Sequence, residues 1–481
     1  MDRVPMRDMD EGVRTIYVDL DHTLLRIDLL RERLLLAIMR NPLIFFLAIG
    51  WLLQGGRARL KTEIASRSEL DVANLPYNQE LVSFLKEERA AGQALVLATA
   101  SPYEWARSIS LHLGLFDRVL ATDETNGNLK GKRKLELILQ DAGEKPFGYA
   151  GDASADRPIF EASQLPIVVG AQAKLAGEQA DRAVLIPQKS NWAVGWWKSL
   201  RVYQWSKNIL IFAPAIAAHR LDELWPHACL AFWSFSLVAS ALYLLNDFCD
   251  IDVGRQHPDK RFRAQASGAL CPSHALVLAT LLLVAAGTAA IYLPLKYNLV
   301  LAGYAFVNIL YSAKFKNIMV LDLITLASLY SLRIFAGGAA CAVDVSTWLF
   351  VFIFFLALSL AHLKRYTELS QRVKVGIGSA ARPTYKVEDM ALIMKVGLCS
   401  GLISVLVLAL YVTAPQTESI YRTPALLFVV CVFLFYWLER IWFRVSHDRI
   451  TGDPIVFIVK DPVTFLIAIA TLVVVWFAAV Y

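Results

Sequence analysis

Three residues at the end of a long apolar run have the types and the spacing for metal chemistry. Asn246, Asp247 and Asp250 follow the stretch Ala228 to Leu245, with Asn246 and Asp250 four positions apart and Asp247 and Asp250 three apart. On a helix those offsets set all three on adjoining positions of one face. Carboxylates at the mouth of a membrane-length helix are costly unless something neutralises them, and Mg2+ carrying substrate phosphates does so. The chain continues as NDFCDIDVGRQHPDKRFRAQASG to Gly268, so Lys260, Arg261 and Arg263 stand just beyond the acids as donors for further phosphate oxygens. Alone, those cations read as an ordinary basic cytoplasmic loop. Joined to the acids, they read as a metal and phosphate site.

A second constellation lies near the amino end. TIYVDL, Thr15 to Leu20, has the look of a buried strand and delivers Asp19, Asp21 and Thr23 at its carboxyl end. In open α/β sheets, active sites lie there. A second strand, Ala94 to Ala98, ends in Thr99-Ala100-Ser101, and a third, Phe147 to Ala150, ends in Gly151-Asp152 with Asp156 four residues on. Helical stretches Gln79 to Ala91 and Lys132 to Gln140 separate them, giving β-α-β-α-β with polar residues at successive strand ends. A carboxylate attacks phosphorus only if a cation and a lysine cancel the repulsion between two anions. Lys134, which opens a helix, and Lys130 are the candidate lysines.

The elements that carry these groups divide in two. With 481 residues, 56% hydrophobic and 19% charged, and a mean hydropathy of +0.47, the chain is too apolar for a soluble enzyme of its size and must hold several membrane spans. Most apolar segments follow residue 208, which implies an α/β domain over residues 1–188, an interfacial linker over 189–207 with Trp192, Trp196 and Trp197, and a membrane domain over 208–481. Nine apolar segments are expected there, at about 208–221, 228–246, 274–295, 298–313, 319–341, 347–363, 391–413, 424–443 and 463–480. The amino end, MDRVPMRDMDEGVR, is charged and has no apolar core, so it is no signal peptide and the first domain is expected in the cytosol. Basic residues crowd the loops that would then be cytosolic, while the outer loops hold little beyond Arg220, Lys296 and Arg422, which sets the carboxyl terminus outside. The net charge of +6 thus speaks for orientation and phosphate ligands and not for nucleic acid. The six cysteines show no CxxC spacing and read as free thiols.

Two further features bear on function. Leu29 to Leu53 is apolar but broken by Arg40-Asn41-Pro42 and flanked by Arg31, Arg33, Arg57, Arg59 and Lys61, which argues for a cap insertion, about residues 29–75, lying in the bilayer surface. The notable polar residues of the membrane domain fall on its cytosolic side: Lys207 and Asn208, then Tyr311, Lys314, Lys316 and Asp322, then Lys364, Arg365, Tyr366 and Glu368. One mouth that collects acids and bases suits anionic substrates with a metal, and it speaks against the alternating access of a transporter. Arg333, in mid-segment ahead of Gly337-Gly338, needs a buried partner.

The DxDxT run at Asp19 to Thr23, Thr99, and Gly151 to Asp156 together make residues 14–188 resemble the haloacid dehalogenase (HAD) superfamily of phosphohydrolases, with a Rossmannoid α/β fold. The resemblance implies Asp19 as nucleophile, Asp21 as general acid and base, Thr99 and Lys134 or Lys130 at the phosphate, and Asp19, Asp21, Asp152 and Asp156 grouped at Mg2+. From about residue 195 onward, NDxxD with its basic stretch resembles the UbiA superfamily of intramembrane transferases. Within it, QWSKN, His257 to Arg263, Ser267-Gly268, Leu332 to Gly338 and Lys364 to Leu369 look like the decaprenyl-phosphate phosphoribosyltransferases.

That resemblance implies an all-α polytopic domain in the cytoplasmic membrane, with Asn246, Asp247 and Asp250 holding Mg2+ on a diphosphate. Lys260, Arg261 and Arg263 would take a sugar 5-phosphate, and Arg333, Lys364 and Arg365 a polyprenyl phosphate. Lys207, Tyr311, Lys314, Asp322 and Tyr366 complete the substrate set. The reaction implied moves 5-phosphoribose from phosphoribosyl pyrophosphate to a polyprenyl phosphate, and the HAD-like domain then removes the 5-phosphate. The alternative is prenyl transfer from an allylic diphosphate to an aromatic acceptor. Gly254 stands where the family usually has a third acid, and Ala264 where it has a proline. A second DxxxD, used by aromatic prenyltransferases, is not evident beyond Asp322, which favours the phosphoribosyl reading.

Overall fold

The computed structural model describes residues 13–480 except 123–128, 130, 144, 171–172, 188–191, 258–259, 376–383, 419, 448–457 and 459–460. The chain forms two compact units, Met1–Leu200 with Leu244–Leu278, and Arg201–Tyr243 with Ala279–Tyr481.

The first unit is built on a parallel six-stranded sheet in the order β3-β2-β1-β4-β5-β6. Its strands are β1 (Thr15–Val18), β2 (Ala94–Pro102), β3 (Arg118–Thr122), β4 (Phe147–Gly151), β5 (Leu165–Val169) and β6 (Val184–Ile186). Ile16 and Val18 pack into the apolar cluster on one face and Tyr17 into that on the other, so both faces are covered, as the unbroken apolar strands require. Val18 pairs with Leu97 on one side and with Ala150 on the other. This register brings Asp19, Thr99 and Asp152 together at the carboxyl ends of three adjacent strands. Around it lie α1 (Leu29–Arg40), α2 (Leu43–Ser66), α3 (Gln79–Ala90), α4 (Tyr103–Leu113), α5 (Lys132–Ala142), α6 (Arg157–Ala162) and α7 (Trp192–Leu200). Much of the expected linker is therefore the helix α7.

α2 is long and apolar enough by composition to cross a membrane, yet Gly55 and Gly56 leave helical geometry, with φ of −148° and +62°. The apolar half before the kink is on the order of 18 Å long, short of the roughly 30 Å of a hydrocarbon core. Leu43, Phe46 and Leu53 on it are 66%, 69% and 83% exposed. Beyond the kink, Leu60, Ile64 and Ala65 return to the domain core.

The rest of the chain is helical: α8 (Ala213–Ala217), α9 (Leu221–Cys249), α10 (Ile251–Gln256), α11 (Pro272–Ala290), α12 (Leu295–Ala313), α13 (Leu321–Cys341), α14 (Thr347–Val375), α15 (Met390–Val412), α16 (Pro415–Glu418), α17 (Leu427–Ser446) and α18 (Pro462–Val480). Among the described residues eight helices are long and apolar enough to span, α2 and seven that follow it, against the nine spans expected after residue 208. Seven of these follow residue 208, so two expected spans are missing: 298–313, and 208–221, where the chain forms a 3-10 stretch, Val202–Phe212, and then the short α8. A 3-10 stretch rises about 2.0 Å per residue, so these two elements still reach on the order of 30 Å. The close approach of α13 bears on this segment: a Cβ on Gly337 would lie 2.0 Å from the Ile211 carbonyl oxygen. The helix α12 covers the expected span 298–313 but is not one of the eight.

Candidate active sites

In the first unit, Asp19 begins the turn Leu20–Leu24, and its Oδ1 accepts from Leu20 N at 2.8 Å and lies 2.9 Å from Lys134 Nζ. Of the two candidate lysines, Lys134 is the one beside Asp19; Lys130 lies outside the described residues. Lys134, itself buried, donates to Tyr149 Oη at 2.7 Å, and Tyr149 donates to Asp156 Oδ2 at 2.8 Å. Asp156 was expected at the metal. Its carboxylate is instead turned onto Tyr149 and, at 3.7 Å, onto Lys134, which it helps to fix. Asp152 Oδ1 accepts from Thr23 Oγ1 at 3.0 Å. Asp21 was also grouped at the metal, yet both its oxygens are engaged: Oδ1 accepts from Leu29 N at 2.9 Å and Oδ2 from Ser101 Oγ at 2.6 Å. Thr99 is buried and its Oγ1 accepts from Ser101 N at 3.0 Å.

Burial raises the pKa of Asp19, Asp21 and Asp152. Asp21 is pushed up to about 6 by burial and by the charge of Asp28, and Asp152 to about 6 by burial and by the charge of Asp19. Asp19 is raised by burial against the opposing pull of Lys134. Asp19 and Asp156 share Lys134, and Asp152 feels the charges of both, so among the described residues negative charge is in excess and a divalent cation would balance it. Among the described residues no three His, Cys, Asp or Glu side chains converge closely enough to hold a metal by themselves. A cation here would take its other oxygens from backbone, water and phosphate. Lys61, from the far half of α2, donates to the Ala100 carbonyl between Thr99 and Ser101 at 2.5 Å. Sequence reasoning missed this placement, as it missed Tyr149; a lysine within an apolar insertion was the available signal for the first.

The segment after α9 belongs to the same unit. The helix α9 ends at Cys249 and Asp250 is the N-cap of α10, while Asp250 N still donates to Asn246 O at 3.0 Å, which keeps the three residues within one helical turn. Asp247 Oδ1 pairs with Arg263 Nη1 at 2.8 Å. Asn246 Oδ1 is buried without a hydrogen-bond partner, and an orphaned acceptor beside two carboxylates fits a cation. Lys260 and Arg261 lie on a 3-10 turn, Lys260–Phe262, and Arg263 N returns to Lys260 O at 3.0 Å. On α10, Asp252 and Arg255 pair with Arg33 and Glu32 of α1.

The second unit gathers two polar clusters. Asn208 Nδ2 donates to Ser236 Oγ at 2.8 Å, and its Oδ1 accepts from Arg333 Nε at 2.8 Å. Arg333 donates also to the Leu329 carbonyl and, at 3.4 Å, to Tyr304 Oη. Its guanidinium stands 5.4, 5.2 and 5.2 Å from the ring centres of Phe235, Tyr304 and Tyr330, and Lys207 Nζ stands 5.8 Å from that of Tyr330. The partner that mid-segment arginine needed is therefore Asn208. Arg365 and Asp322, both expected at substrate, pair with one another at 2.5 Å. Arg365 also meets Glu368 at 2.5 Å, and Asp322 accepts from Tyr385 Oη at 2.6 Å. Both are buried, so their charges are spent on a strut between α13 and α14. Lys314 is exposed and Lys364 half-buried; Tyr311 is half-buried, and Tyr366 meets Trp442 edge-on at 6.3 Å.

A parallel α/β domain with a lysine-balanced aspartate cluster, continued by a polytopic helical domain with buried cations, defines a membrane enzyme with a hydrolase-like part. Residues 209–451 match the UbiA prenyltransferase family and residues 16–161 the haloacid dehalogenase-like hydrolases. The chain belongs to the UbiA prenyltransferase family and carries a HAD-like domain ahead of its membrane domain. An uncharacterized protein, y4nM, of Sinorhizobium fredii is 33% identical over 460 residues, 93% of this chain and 88% of that one. The decaprenyl-phosphate phosphoribosyltransferase of Mycobacterium tuberculosis is 34% identical over 199 residues, 40% of this chain and 66% of that one. Among solved structures, a UbiA homologue from Archaeoglobus fulgidus bound to GPP and Mg2+ is similar with a TM-score of 0.44 at 18% identity, covering 59% of this chain and 98% of that one.

Proposed function

We propose that the membrane domain moves 5-phosphoribose from phosphoribosyl pyrophosphate to a polyprenyl phosphate, and that the HAD-like domain removes the 5-phosphate from the lipid-linked product. The observation that carries this reading is the folding of residues 244–278, with their acids and basic run, into one compact unit with the hydrolase-like domain. A phosphatase so joined to a phosphate-handling segment suits a two-step route, and the partial likeness to a phosphoribosyltransferase supports the donor.

Asp19 and Asp152 in one part, and Asn246, Asp247 and Asp250 in the other, would hold Mg2+, which would supply the positive charge that lets an anionic nucleophile approach phosphorus and lets a diphosphate leave. Lys134 takes charge from Oδ1 of Asp19, which leaves Oδ2 to attack the phosphate. Asp21, its carboxyl near 6 and held in place by Leu29 N and Ser101 Oγ, gives a proton to the departing oxygen and later takes one from water. Thr99 and Ser101 receive the phosphate. In the transferase part, Arg263 is set to exchange Asp247 for a substrate phosphate, beside Lys260 and Arg261. Lys314 and Lys364 take the polyprenyl phosphate, with Lys207, Tyr311 and Tyr366 around it, while Arg333, Arg365 and Asp322 hold the helices that present them. The polar mouth faces the cytosol, as does the HAD-like domain.

Purified protein given labelled phosphoribosyl pyrophosphate and a polyprenyl phosphate should form a lipid-soluble label that Asp250→Asn abolishes. Asp19→Asn should keep the label but retain its 5-phosphate. Label that appears only with a prenyl diphosphate and an aromatic acid would establish prenyl transfer instead.

A further inference from the structure

The insertion helix α1 enters two networks at once. At its start Leu29 N donates to Asp21 in the hydrolase-like site. One turn on, Glu32, fully buried, takes Nη1 and Nη2 of Arg255 at 2.8 Å each, and Arg33 forks onto Asp252 at 2.7 and 3.0 Å. Arg40 reaches the same carboxylate at 3.5 Å. Asp252 and Arg255 lie on α10, whose N-cap is Asp250. Arg255 Nε donates to the Ala266 carbonyl at 3.1 Å, which fastens the chain behind Arg263 onto α10. Gly268, at φ +75°, sits against the approach to α1: a Cβ there would lie 2.9 Å from Arg26 Cβ and 3.1 Å from Ile27 Cγ2. Leu36 closes the contact against Phe248 and Ile251, which flank Asp250.

Charges in a short loop between membrane helices are ordinarily solvated, and burying them in two forked pairs is costly unless the pairs fix something. What they fix are the described residues of the segment from Asp247 to Gly268. We propose that Glu32 and Arg33 are positioning residues of the transferase motif. Through α10, the insertion of the hydrolase-like domain sets the spacing of Asn246, Asp247 and Asp250 and thereby their affinity for a divalent cation. The hydrolase-like domain is a structural part of the transferase site, apart from any chemistry of its own. This inference rests on the proposed function only for which reaction the acids serve.

The test uses full-length protein in detergent with Asp19→Asn and Asp152→Asn to silence the other cation site, and Mn2+ binding read by electron paramagnetic resonance. Removing support for a metal's ligands costs about 10–100-fold in affinity, and Glu32→Gln, which keeps shape and loses charge, should weaken Mn2+ by at least about tenfold. The exchange Glu32→Arg with Arg255→Glu should restore part of it, short of what the lost hydrogen bond from Arg255 Nε to the Ala266 carbonyl contributes. With Asp19 and Asp152 intact, Glu32→Gln should raise the Mg2+ needed for half-maximal transfer far more than it lowers the saturating rate. Affinity unchanged within about twofold in folded Glu32→Gln, or a loss that the charge exchange leaves uncorrected, would overturn the proposal. If the parent protein transfers no phosphoribose, the transferase reading fails while the Mn2+ comparison still decides the positioning role.

Discussion

Replacing Asp21 by Asn should stabilise the protein while it silences the hydrolase-like site. Burial and the charge of Asp28 raise the Asp21 carboxyl from 3.8 to about 6, against the opposing hydrogen bonds from Ser101 and Leu29. Between those two values the folded chain holds a proton that the unfolded chain has lost, so stability falls as pH rises through the window and the whole penalty is present above about 6. A rise of that size corresponds to about 3 kcal/mol. Asn keeps both contacts, since its oxygen still accepts from Leu29 N and its amide can donate to Ser101 Oγ. With a chelator present, Asp21→Asn at pH 7.5 should therefore gain about 2–3 kcal/mol, on the order of 5–10 °C for a unit of this size. At pH 4 the gain should vanish. Thermal unfolding of the full-length protein in detergent, read by protease cleavage within the first unit, measures it. Hydrolysis of a small phosphate ester should fall by about 10²–10⁴ in the same variant. A lower melting temperature at pH 7.5, or an equal difference at both pH values, would refute the reasoning that an unpaired buried charge is stored there for catalysis.

Lys134→Met should lower phosphate-ester turnover by on the order of a hundredfold or more, because Asp19 would then meet the substrate's charge uncompensated; steady-state rates at saturating substrate check it. Arg333→Lys should cost about 2–4 kcal/mol, since an ammonium cannot fork between Asn208, Tyr304 and the Leu329 carbonyl. Melting in detergent should show that loss, and Asn208→Ala added to it should cost less than the sum of the two. Phe46→Ser with Leu53→Ser removes two exposed apolar side chains from α2, each worth about 1.5–3 kcal/mol when buried. A separately expressed hydrolase-like domain bearing both changes should then sediment with lipid vesicles about a hundredfold less, and unchanged sedimentation would show that α2 does not dock on lipid.

Much of the architecture could be read along the chain because it rests on local patterns. Short apolar runs at Thr15, Ala94 and Phe147 dictate strands buried on both faces, and their carboxyl ends dictate where Asp19, Thr99 and Asp152 meet. Apolar segments of about twenty residues dictate helices that lipid will accept. The break at 208–221 was not legible, since its 3-10 course accompanies the contact with Gly337, far along the chain. The fate of single charges was equally hidden. Arg255 looks like a member of a basic loop, and Arg365 looks like a phosphate ligand, until partners more than forty residues away claim them.

Period and composition, which act within a turn or a strand, determined by themselves that this is an α/β domain followed by a membrane bundle, with acids at two sets of element ends. Which carboxylate answers which cation was decided only in three dimensions. A buried charge must find an opposite one wherever the fold brings it, and neither the grip of Glu32 on Arg255 nor that of Asp322 on Arg365 leaves a mark in the local sequence.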